Sequence, residues 1–144
     1  MKKIDKNGIE KEKMEWAFFF WVAVGGAAGS VARELIFPLF PVPDSWVAVL
    51  LINGVGSFVI GLVYSIEHMY HPHFKNFAAV GFCGGFSTFS HFTYQTIKMV
   101  ESGHYTAAFS NIGFSIVLTM FAVWAGLKIP AKLLKNPGTG EKQC

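Results

Sequence analysis

Few residues of this chain have chemistry to offer, and they sit where purely apolar sequence would be expected. From Gly81 to Phe92 it reads GFCGGFSTFSHF. Gly84 and Gly85 each cost about 1 kcal/mol against alanine in a helix interior, and the hydroxyls of Ser87, Thr88 and Ser90 compete for backbone groups, so a helix interrupted at this point is expected. Non-helical backbone survives at membrane depth only under cover of protein or a water-filled cavity, and the carbonyls it releases suit a cation. Phe89 and Phe92 are three residues apart and share a helix face, with Phe86 one turn earlier. Phenyl rings most often mean core or lipid contact, yet their edges carry partial positive charge and suit a small anion.

Such an anion would also need N–H and O–H donors. Asn53, in LLINGVGSF, reads equally well as a structural hydrogen bond between helices and as the lining of a watery path. Asn111, Ser115 and Thr119 recur every four residues, which draws a polar line along one helix face, although serine and threonine often satisfy themselves on their own helix. Arg33, followed by Glu34, snorkels or pairs with its neighbour, or else draws anions to a vestibule. His91 is the one histidine deep in an apolar run. The cluster His68, His71 and His73 belongs to a loop and reads as solvated rather than metal-binding.

These residues must be positioned by membrane helices. The 144-residue chain is 52% hydrophobic and only 15% charged, where soluble domains carry about a quarter. No Asp, Glu, Lys or Arg lies between Glu15 and Arg33, Asp44 and Glu67, Lys75 and Lys98, or His104 and Lys128. Each gap supplies the roughly 20 residues a bilayer crossing needs, which predicts helices near 16–37, 46–67, 75–99 and 105–128. The runs lack the alternation of a barrel strand, so the fold class is all-α.

Residues 1–15 read as a polar extension, 16–129 as the transmembrane domain and 130–144 as a polar tail, with both ends expected to fray. The acidic residues Asp5, Glu10, Glu12 and Glu15 argue against a cleaved signal. Gly25 with Gly29, Gly81 with Gly85 and Ser57 with Gly61 have the spacing that lets helix backbones approach closely. Cys83 and Cys144 fit neither a disulfide nor a zinc spacing. With four crossings the termini share a side with Lys75, giving ten Lys and Arg there against two opposite, which predicts cytoplasmic termini.

The run GFCGGFSTFSHF, together with GGAAGSVAR from Gly25 to Arg33 and INGVGSF around Asn53, closely resembles the Fluc (CrcB) family of bacterial fluoride channels over about residues 17–128. The resemblance implies two antiparallel four-helix subunits enclosing two fluoride pathways, with the third helix of each broken mid-membrane. It implies a structural, untransported sodium ion held by main-chain carbonyls at Gly84 and Ser87. Phe89, Phe92 and Asn53 match the family's pathway residues, Arg33 its first-helix arginine, and Asn111, Ser115 and Thr119 its fourth-helix polar track; Ser90 and His91 lie beside the phenylalanines. His91 stands in place of the usual threonine, and Gln95 where a glutamate is often found.

The implied function is passive, selective export of fluoride across the cytoplasmic membrane, which lowers its toxicity. Neither catalysis nor a nucleic-acid partner is expected. An antiparallel homodimer requires dual topology, which the charge bias of ten against two opposes; a paired homologue of opposite bias would make a heterodimer. Two rival classes are a small four-helix multidrug-type transporter, which would carry an intramembrane glutamate absent here, and a non-transporting membrane scaffold.

Overall fold

The structure, a computed structural model, describes residues 6–40, 45–66 and 71–134. His68, Pro41, Pro43, Asp44, Glu67 and Cys144 lie outside the described residues, as does the tail after Leu134. Among the described residues every regular element is helical.

Helix α1 (Lys6–Ile36) is 31 residues long, about 46 Å at 1.5 Å per residue. It therefore exceeds a bilayer core of about 30 Å, and residues 6–15, expected to fray, continue the helix. Pro38 ends it in a 3-10 turn (Phe37–Leu39), after which Phe40 is extended. Helix α2 (Trp46–Ser65) starts at Ser45, whose hydroxyl accepts a hydrogen bond from the Ala48 amide at 3.1 Å and so satisfies one of the orphan N–H groups of the first turn.

The third apolar segment is built in pieces. A four-residue helix α3 (Pro72–Lys75) opens into a π-helical stretch (Asn76–Phe82), closed by the Cys83 amide donating to the Ala78 carbonyl five residues back. Helix α4 (Cys83–Phe86) follows, then Ser87 and Thr88 in extended conformation, then α5 (Phe89–Glu101). Gly84 and Gly85 are thus themselves helical, and the interruption comes after them. Gly103, at φ 75, reverses the chain, and the His104 amide bonds the Met99 carbonyl at 2.8 Å. Helix α6 (Tyr105–Leu134) completes the fold.

Among the described residues three helices are long and apolar enough to cross a membrane: Glu15–Leu39, Trp46–Ser65 and Tyr105–Ile129. Helix α1 packs on the π-helical stretch and α4, and α2 packs on α6. Both contacts run through glycine. A Cβ on Gly25 or Gly29 would collide with the carbonyl oxygen of Phe77 or Phe82, and one on Gly61 or Gly126 with that of Val123 or Phe58. Backbones come this close because these positions carry no side chain. The Ser65 hydroxyl adds a 2.9 Å hydrogen bond to the Leu127 carbonyl.

The core beneath the interruption is Phe37, Ala48, Val49, Ile52 and Phe86, with Phe92 packed against it. Outward, α6 presents Phe109, Phe114, Val117, Met120, Phe121 and Trp124. A face this apolar belongs against lipid or another protein surface rather than water.

Candidate functional site: a cavity beside the helix interruption

The site is organised by where the backbone stops being helical. In a continuous helix the Thr88 amide would bond the Gly84 carbonyl and the His91 amide the Ser87 carbonyl. Neither arrangement is present. The Thr88 N–H donates to Asn53 Oδ1 at 2.7 Å, and the His91 N–H donates to Thr88 Oγ1 at 3.2 Å. Asn53 Nδ2 returns a hydrogen bond to the Thr88 carbonyl at 3.2 Å, so one side-chain amide grips both backbone groups of a residue only 3% exposed. Ser87 keeps its helical bond to the Cys83 carbonyl, which also accepts from the Ser87 hydroxyl, each at 2.9 Å.

The carbonyls that end α4 therefore divide into two kinds. That of Gly85 accepts from Ser30 Oγ at 3.4 Å and Arg33 Nη1 at 3.3 Å. Arg33 thus ties α1 to the interruption, while its Nε pairs with Glu34 at 3.4 Å. Those of Gly84 and Ser87 have lost their helical donors, and as hard oxygen atoms they are of the type that could hold a cation. A Cβ built on Gly84 would meet nothing within 4 Å, so space remains beside it.

A cavity of about 340 Å³ lies next to the interruption. It is lined by Asn53 and Ser57 from α2, Ser87 from the interruption, Phe89 and Phe92 from α5, and Ser115, Ile116 and Thr119 from α6. The rings of Phe89 and Phe92 lie 5.8 Å apart at 39°. This surface combines aromatic rings with hydroxyl and amide groups and carries no charged side chain, which suits a small anion that must shed part of its water without being trapped by a countercharge. Thr119 Oγ1 donates to the Ser115 carbonyl at 2.7 Å, leaving its oxygen as an acceptor toward its surroundings.

The other candidates sit elsewhere. Asn111, 2% exposed, donates from Nδ2 to Thr96 Oγ1 at 2.9 Å and ties α6 to α5 without lining this cavity. Ser90 shares a hydrogen bond with Thr88 Oγ1 at 3.3 Å. His91 lies 5.3 Å from Phe37, ring to ring, and lines a separate cavity of about 440 Å³ with Gln95 and Lys98. His71 and His73 stack at 5.4 Å, and no group of three or more metal-ligating side chains occurs among the described residues. Two participants escaped the sequence reading in these roles: Ser57, one turn from Asn53 and therefore on its face, and Ser30, whose partner is 55 residues away.

Comparison with known proteins places these features in a family. The model of the family "CrcB-like protein, Camphor Resistance (CrcB)" matches residues 20–127. A protein of Leptospira interrogans named fluoride-specific ion channel FluC is 40% identical over 115 residues, covering 74% of this chain and 88% of that protein. Proteins of the same name from Pyrococcus horikoshii and Campylobacter jejuni are 36% and 37% identical over 107 and 114 residues, covering 72% and 75% of this chain and 87% and 93% of theirs.

Proposed function

The chain belongs to the CrcB-like family, and from that premise we propose that it is a passive, fluoride-selective channel rather than an enzyme, a multi-pass membrane protein that lets fluoride leave the cytoplasm. The observation that carries this reading is the uncharged cavity in which Asn53, Phe89, Phe92, Ser115 and Thr119 converge from three helices. A channel suffices for export, because a negative-inside potential drives an anion outward with about 2.3 kcal/mol per charge per 100 mV. The second Nδ2 proton of Asn53 and the hydroxyls of Ser57 and Ser115 donate to the ion, those of Ser87 and Thr119 being committed to carbonyls of their own segments, and the ring edges of Phe89 and Phe92 replace part of its hydration.

In this reading the third segment is a fourth crossing, with Ser87 and Thr88 at mid-membrane, and two subunits pack antiparallel to close the pathways. Phe89 is 78% exposed in the single subunit, which fits a ring awaiting a second wall. A sodium ion, structural and not transported, is held by the Gly84 and Ser87 carbonyls. The loss of both helical donors supports that donor set, and the ion supplies charge neutralisation and a fixed backbone. Arg33, Asn111, Ser90 and His91 then stand around the pathway as positioning or vestibule residues.

We place the channel in the cytoplasmic membrane with the basic ends inside, and with a homologue as partner if one orientation prevails. Tags on each terminus tested in whole cells decide this: labelling from one side alone rules out a dual-topology homodimer. Function is tested by reconstituting the protein in liposomes and following efflux with ion-selective electrodes. Rapid fluoride efflux with little chloride efflux is expected, and equal rates would refute selectivity.

A further inference from the structure

We infer that Asn53 is the positioning residue that holds Thr88 out of the helix and so creates the free carbonyl at Gly84. The inference rests on the cation reading above and supplies the device behind it. The two glycines do not break the helix, since both lie within α4. Nor does Ser87, whose own amide still bonds the Cys83 carbonyl at 2.9 Å.

The first amide to leave the helical ladder is that of Thr88, and its acceptor is Asn53 Oδ1 at 2.7 Å, the shorter of the two contacts between these residues. That amide is the one a continuous helix would direct at Gly84. With Thr88 gripped at both N–H and C=O, its hydroxyl is left to accept from the His91 amide and start α5, which diverts the donor that Ser87 would otherwise receive. One side chain on α2 therefore sets off the release of both carbonyls. Its second Nδ2 proton remains for the cavity that Asn53 also lines, so the clamp and a pathway contact are compatible.

The test compares the full-length purified wild type with Asn53→Ala and Asn53→Asp. The melting temperature is titrated with Na⁺ against N-methylglucamine at constant ionic strength, beside fluoride efflux from liposomes. Asn53→Ala is expected to raise the Na⁺ midpoint about tenfold or more, the scale of losing a hydrogen bond that orders the site. Asn53→Asp, whose carboxylate still accepts from the Thr88 amide, is expected to keep the midpoint within about threefold while efflux falls. Should Asn53→Ala not accumulate, Asn53→Gln replaces it with the same expectation, its amide being one methylene too long to meet both groups.

A wild-type midpoint in the loss variant with lowered efflux alone would overturn the clamp and leave Asn53 as a pathway residue. A wild-type protein indifferent to Na⁺ would instead overturn the cation reading. The clamp is then judged on a structure of Asn53→Ala, in which a helix continuing through Ser87 and Thr88 supports it and an unchanged interruption overturns it.

Discussion

Replacing Gly29 with alanine tests whether the approach of α1 to the third segment holds the site together. The added Cβ would fall on the Phe82 carbonyl oxygen and lie 2.9 Å from both the Phe82 carbonyl carbon and the Phe86 nitrogen. All three are backbone atoms, so no rotamer change relieves the clash and the two elements must separate. Overpacking of this kind costs about 1–3 kcal/mol. Alanine returns about 1 kcal/mol of helix propensity, which leaves a net loss of up to about 2 kcal/mol.

Separation also reaches the interruption, because Ser30 and Arg33 hold the Gly85 carbonyl at 3.4 and 3.3 Å, already the long end of hydrogen bonding. Gly26→Ala is the internal control on the same helix. Its Cβ meets only the Gly81 carbonyl oxygen, at 3.8 Å, so it is expected to be neutral or to stabilise by up to about 1 kcal/mol. Thermal unfolding in detergent and fluoride efflux from liposomes read both effects. If Gly29→Ala melts and conducts like the parent, or Gly26→Ala suffers equally, the close-approach argument is wrong.

Phe89→Ile is expected to abolish most fluoride efflux while leaving the melting temperature of the subunit fold within a few degrees, because the ring is 78% exposed within the subunit and its loss removes little core packing. Asn111→Ala loses the 2.9 Å bond to Thr96 at a buried site and should lower stability by about 1–3 kcal/mol in the same unfolding assay. Ser45→Ala removes the acceptor for the Ala48 amide and should cost about 1 kcal/mol with efflux per folded protein unchanged.

Much of this was legible in the sequence because it is local. Charge-free stretches of bilayer length announce the apolar helices, and the glycine pairs announce close packing through spacing alone. The same locality explains what was missed. Glycine in a helix costs only about 1 kcal/mol, too little to decide by itself where the chain unwinds, so the double glycine marked the neighbourhood but not the residue. The π-helical stretch has no signature in NFAAVGF, and Gly126 carried no mark as the partner of Gly61 until α2 and α6 were brought together.

The amino-acid sequence by itself determined the helical, membrane-embedded character, the family motif and the identity of most groups around the cavity. Those properties follow from side-chain solvation and from spacing along one helix. Tertiary structure alone decided that Asn53 meets Thr88 across 35 residues, that the Gly85 carbonyl is taken while the helical donors of Gly84 and Ser87 are diverted, and that Asn111 faces Thr96 instead of the cavity. Each of these is a choice among competing hydrogen-bond partners, and which partner is within reach depends on how the helices pack.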